Sequence, residues 1–223
     1  MNHNASFVLS VAVLAAMFLA SPADAVTAPA SDGLVSIHSR NLDEVYVRPD
    51  VNFLDYRKVI VDPAQVELRK GWLRSINATR GPSRWIMPED AKFITDNAAT
   101  SLTGVVVASF TGRGYEIATA PDAGVLRITP RVTDLVVNAP DVQSANPQAL
   151  FNVDAGEATL ILEVRDAATG TLLGRVVDRG TARELSTRIN RVLGVTNAFW
   201  FDALFRQWTA NCLREFESAR IVR

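Results

Sequence analysis

The stretch that most constrains the fold runs from Ala158 to Gly180, "ATLILEVRDAATGTLLGRVVDRG". Ala158, Leu160, Leu162 and Val164 recur at every second position, which puts them on one face of a β-strand. Ala167, Ala168, Thr169 and Gly170 suit a short hairpin loop: Gly170 can take a positive φ and Asp166 can bond the turn amides. On the return strand, Arg175, Val177 and Arg179 share one face, and Gly174, Val176 and Asp178 share the other. The charges therefore split between faces instead of converging, and Arg175 and Arg179 are expected to pair with acids such as Glu163 across the ladder. This is a structural hairpin, and a chain built around it contains an antiparallel sheet with one face on a core.

The remaining patterns supply the other layers. "DEVYVRP" and "YRKVIVDPAQVEL" read as strands, with Pro63 ending, bulging or edging the second. A helix is predicted from Pro88, where Glu89 and Asp90 face the positive end of its dipole. Ala91, Ile94, Ala98, Leu102, Val105 and Val106 form its apolar stripe, and "GRG" at 112–114 stops it. "YEIATA" and "VLRITPRVTDLVVN" read as strands; the second slips phase after Val132, which predicts a bulge near Thr133–Asp134. A last helix over about 196–219 carries Phe201, Phe205, Trp208, Cys212 and Phe216 on one side, away from Arg206, Arg214 and Ser218. Residues 67–87 and 138–157 read as long loops. The expected architecture is α+β: a single domain over 42–223, with a mixed or antiparallel sheet and two amphipathic helices packed on it.

At the amino end, Phe7 to Ala20 is a hydrophobic run interrupted only by Ser10, too short for a membrane span, followed by the small-x-small pair Ala23 and Ala25. An export signal over 1–25, cleaved before Val26, is expected, although "MNHNAS" carries no Lys or Arg; an uncleaved anchor is the alternative. Residues 26–41 read as a tether. No later stretch approaches membrane-spanning length, so the mature chain is expected to be periplasmic or secreted, without a transmembrane segment. The single cysteine, Cys212, cannot form an intrachain disulfide and is expected to be buried on its helix.

"RPDVNFLDYRKVIVDPAQVEL", "GYEIATAPDAGVLRITPRVTDL", "EVRDAATGTLLGRVVDR" and the closing "DALFRQWTANCLREF" together resemble the bacterial envelope proteins grouped as domain-of-unknown-function family 3313. The likeness runs from about residue 42 onward. It implies export to the cell envelope and an α+β domain, and it implies no established reaction. Many relatives look like lipoproteins; this sequence departs from them in having no lipobox cysteine.

Chemistry is sparse. His38 is the only histidine beyond the expected cleavage site, which argues against imidazole-based triads and histidine metal sites. No nucleophile elbow, phosphate loop, zinc-protease motif or calcium loop occurs, so no catalytic residue, metal or cofactor is expected. With 23 Lys+Arg against 24 Asp+Glu there is no global field to draw in nucleic acid, and no nucleic-acid partner is expected. Any two acids could meet in a fold, Asp154 and Glu157 among them, which leaves a carboxylate-based hydrolase of envelope substrates as one reading. Self-association through a sheet edge, such as the Pro63 strand, is a second. The leading one is a non-enzymatic binding or structural module whose partner is an envelope protein or an anionic envelope component. Its binding residues would be Arg69, Lys70, Trp72, Arg74, Arg80, Arg84 and Trp85, where cations attract anions and indoles stack. The plainer account of that segment is a solvated connection whose tryptophans fold back on the core.

Overall fold

The computed structural model describes residues 32–49, 51–138, 154–183 and 197–218, with backbone alone for Asp154, Ala155, Arg183 and residues 197–200. The expected export signal and most of the expected loop at 138–157 lie outside these residues. Among the described residues, eight strands form one sheet: β1 (Val35–Ile37), β2 (Glu44–Val47), β3 (Lys58–Val61), β4 (Gln65–Leu68), β5 (Glu116–Ile117), β6 (Val125–Val137), β7 (Asp154–Asp166) and β8 (Leu172–Arg183). The order is β1-β2-β8-β7-β6-β3-β5, with β4 also paired to β6. The β1-β2-β8-β7-β6 ladder is antiparallel, whereas β3 and β4 run parallel to β6, and β5 runs parallel to β3. Parallel pairing demands a crossover, and α1 (Trp72–Ala78) and α2 (Pro88–Thr111) provide it between β4 and β6. With α3 (Asn197–Ser218) the fold is α+β with a mixed sheet, as the sequence patterns indicate.

The hairpin sits at the centre of the sheet. Ala158, Leu160, Leu162 and Val164 are all buried. Gly170 takes φ 72°, and the Asp166 carboxylate accepts from the Thr169 amide at 2.8 Å and the Tyr56 hydroxyl at 2.9 Å. Burial and the Asp166 bond push the Tyr56 phenol up to about 12. On the outer face Glu163 accepts from Arg175 Nε (3.0 Å) and Nη2 (2.8 Å) and from Arg165 Nη2 (2.8 Å). Burial alone would raise the Glu163 pKa; the bonds and charges of Arg165 and Arg175 outweigh it and hold the carboxyl below its ordinary value. A carboxyl whose folded pKa is lowered stabilises the fold above its unfolded pKa and loses that contribution as pH falls through the folded one. Glu163→Gln should therefore cost about 1–2 kcal/mol at pH 7, with the gap to wild type narrowing as pH falls through the lowered pKa of the folded carboxyl in urea titrations. A gap independent of pH would contradict this pairing.

The bulge falls where the phase slip predicts. Asp134 takes φ 52°, and the β6–β7 register shifts between Thr133 and Val136. One side of the sheet carries both long helices. α2 buries Ala91, Leu102, Val106 and Phe110 and packs on β3, β4 and β5, while α3 packs on β7 and β8 and against α2. The α3 seam is Phe201, Phe205, Trp208, Cys212 and Phe216, all buried, with Phe205 stacked on Trp208 at 5.9 Å. Burial pushes the Cys212 thiol well above its ordinary pKa, so it is an inert core group. Gly180 admits this helix: a Cβ there would lie 2.6 Å from Leu204 Cδ1 and 2.8 Å from Trp208 Cζ2.

Four expectations need correcting. Arg175 pairs with Glu163 across the ladder, but Arg179 faces Thr159 and its side chain meets no acid among the described residues. Residues 67–87 are not a loop: they contain the end of β4, the helix α1 and a 3-10 turn at Pro82–Arg84. Gly71 at φ 80° reverses the chain, and Trp72, Leu73 and Ile76 then give one inward side of a helix too short to declare a period. The stretch at 138–157 yields its last four residues to β7, which starts at Asp154. Val35–Ile37, inside the expected tether, adds an edge strand to β2.

Candidate functional site

The cations and tryptophans singled out between residues 69 and 85 do not form one cluster. Trp72 is only 5% exposed, belongs to the core and donates its indole N–H to the Val137 carbonyl at 3.2 Å. Arg69 is spent on Glu157 at 2.6 Å, which also engages one of the two acids considered for hydrolysis; the Asp154 side chain lies outside the described residues. Lys70, Arg74 and Arg84 are exposed and Arg80 is half-buried. Trp85 is 51% exposed, and its indole N–H donates to the Arg80 carbonyl at 3.1 Å.

This surface is held in shape by its own backbone. Asn77 donates to the Ile86 carbonyl and accepts from the Ile86 amide, both at 2.8 Å, so one side chain clamps the end of α1 to the start of α2. Asp90 accepts from the Met87 amide at 2.9 Å and fixes the first turn of α2. This segment, the α1–α2 ledge, carries exposed Lys70, Arg74 and Arg84 and half-buried Arg80, followed in the chain by three large apolar side chains left in water: Trp85, Met87 and Phe93, the last 67% exposed. Glu89 and Asp90 also lie on it, and Lys92 pairs with Asp96 at 2.5 Å.

A family model described as a protein of unknown function, DUF3313, matches residues 32–211. The chain belongs to the DUF3313 family. No curated protein matches it. Among solved structures, a PelC dodecamer from Paraburkholderia phytofirmans is 12% identical over 70% of this chain and 87% of that one, with a TM-score of 0.34. A DUF330 protein from Xanthomonas campestris is 12% identical over 71% and 82%, with a TM-score of 0.35. A DUF4136 protein from Bacteroides thetaiotaomicron is 12% identical over 81% and 97%, with a TM-score of 0.34. The family carries no assigned activity, so residue roles must come from the geometry. Among the described residues, no group of three or more His, Cys, Asp or Glu could hold a metal ion, and no helix is long and apolar enough to cross a membrane.

A second site escaped the sequence. An open groove of about 1030 Å³ lies where β8 outruns β2, between the β8 edge, α3 and residues 39–43. Its floor holds Asp178, a carboxylate on the inward face of β8 and buried. Asp178 accepts from the Asp43 amide at 2.8 Å and from Trp208 Nε1 at 2.6 Å. Burial pushes its pKa up, against the lowering effect of those two bonds. Asp43 in turn accepts from the Arg179 amide at 2.9 Å, and Ser39 and Asn41 tie the approach to Glu215 and Asn211 of α3. One signal could have found it: Asp178 occupies an inward position of the alternation, where an unpaired charge is costly and a partner had to be sought.

Proposed function

We propose that this DUF3313 chain is an exported, non-enzymatic module of the bacterial cell envelope that binds an anionic membrane surface through the α1–α2 ledge. The observation that carries the reading is Trp85, half in water, with exposed Lys70, Arg74 and Arg84 before it and exposed Met87 and Phe93 after it. Isolated exposed apolar residues are ordinary; three large ones within nine positions, following three exposed cations in the chain, have the composition of an interfacial surface. Indoles favour the headgroup level and guanidinium groups favour phosphate, so the two kinds of group act on the same target. The export signal expected at the amino end would deliver the chain to that target.

The test is sedimentation of the mature chain with vesicles. Phosphatidylglycerol vesicles should carry down the protein, phosphatidylcholine vesicles should not, and about 0.5 M salt should release most of it, because cations contribute by screened attraction. Equal recovery with both lipids would count against the ledge. Turnover of a cell-wall or glycan substrate that vanishes on neutralising one acid would favour the hydrolase reading instead.

A further inference from the structure

We infer that the groove beside β8 is a strand-addition site that takes an extended, acidic peptide segment of a partner protein. Three observations converge there. The first is a free strand edge. β2 covers β8 only from Gly174 to Val177, and Asp43 then caps the Arg179 amide with its side chain. Alternation along β8 directs the backbone groups of Arg179 and Thr181 to the same outer side. Past the Asp43 cap, the Thr181 amide and carbonyl have no ladder partner on that side among the described residues, since β7 is the only strand paired to this part of β8.

The second observation is shape. The chain before Asp43 leaves the sheet and crosses to α3, so the open edge is backed by a helix and closed at one end by residues 39–43. An edge strand beside a helix is the geometry in which main-chain bonds give affinity and alternate side chains give selectivity. The third is charge. Arg40, Arg179 and Arg214 line this groove from three separate elements. The Arg40 and Arg179 side chains have no hydrogen-bond or ion-pair partner among the described residues, and Arg214 bonds only Asn211 there. The two acids in the lining bond other groups than these guanidiniums: buried Asp178 accepts from the Asp43 amide and Trp208, and exposed Asp43 from the Arg179 amide. The cations at the rim are therefore left for carboxylates of an incoming segment.

Fluorescence polarisation of the mature chain with a labelled peptide of alternating Glu and Thr, roughly eight residues long, tests this. Binding is expected for that peptide and not for its Lys–Thr counterpart at up to about 1 mM. N-methylating one alternate set of its amides should abolish binding, and methylating the other set should spare it, because a strand pairs through one side only. Arg40→Gln with Arg179→Gln should weaken binding at least tenfold with unchanged melting, and Thr181→Pro, which removes an outward amide, should do the same if it folds. Equal loss from both methylated sets, equal affinity for the basic peptide, or no binding by the wild type would overturn the inference. So would a concentration-dependent dimer that the peptide fails to displace, since a second copy would then own the edge. None of these readouts involves the α1–α2 ledge, so vesicle binding can fail or succeed independently.

Discussion

Replacing Trp72 by alanine should lower the unfolding free energy by about 3–5 kcal/mol, the cost of emptying a buried aromatic site. The side chain is almost fully covered, and it spans from the first residue of α1 to the end of β6, where its indole N–H meets the Val137 carbonyl. Truncation removes that contact area, leaves a cavity beneath α1 and strips a buried carbonyl of a donor. The comparison is Trp85→Ala, only 13 positions later in the sequence, which should stay within about 0.5 kcal/mol of wild type because its ring is half in water. Urea titrations of both variants decide it. Similar losses for the two would mean that Trp85 also packs and that the ledge is part of the core.

Gly156→Ala should be as damaging, costing about 3 kcal/mol or more. Gly156 pairs with Val137 and Ala182 at the inward-facing start of β7, with φ 151°, a region that L side chains rarely enter. A Cβ there would lie 1.9 Å from the Val136 carbonyl oxygen and 2.9 Å from Phe201 Cζ. The first contact is with backbone, which cannot rotate away as a side-chain tip can. It exists because the β6 bulge brings the Val136 carbonyl across the β7 ladder, so the substitution would push on the bulge and on α3 together. Gly170→Ala is the control: its φ of 72° makes the change unfavourable by about 1 kcal/mol, but no atom lies within 4 Å of its Cβ position. Equal thermal shifts for the two glycines would show that φ alone, and not the β6 carbonyl, sets the cost at Gly156.

What could be read from the residues was whatever repeats over several turns or strand positions. The β7–β8 hairpin, the α2 stripe and the α3 aromatic seam all announce a period; the hairpin and α3 bury the residues it selects, and α2 buries Ala91, Leu102 and Val106 and packs Ile94, Ala98 and Val105 against the core half-buried. The phase slip at Thr133 located the bulge because a single inserted residue inverts every later side chain. α1 was illegible because seven residues hold too few repeats, and because Gly71 and Gly81 on either side look like loop punctuation. The composition of residues 69–85 suggested one basic aromatic surface, yet composition carries no direction. Trp72 faces inward from the first turn of α1, and Trp85 faces outward from the turn before α2. The β8 groove was hidden for a different reason. Its walls come from residues 39–43, 178–181 and 204–214, which only the β2–β8 register and the docking of α3 bring together.

The most direct test of ledge binding is the emission of Trp85 itself, isolated as the difference between wild type and Trp85→Phe while phosphatidylglycerol vesicles are added. An indole that enters the headgroup region leaves water, so the difference spectrum should shift to shorter wavelength and lose its quenching by aqueous iodide, with no change on phosphatidylcholine. A Trp85 spectrum that stays water-like and fully quenched while the protein is vesicle-bound would place the contact elsewhere and contradict the proposal.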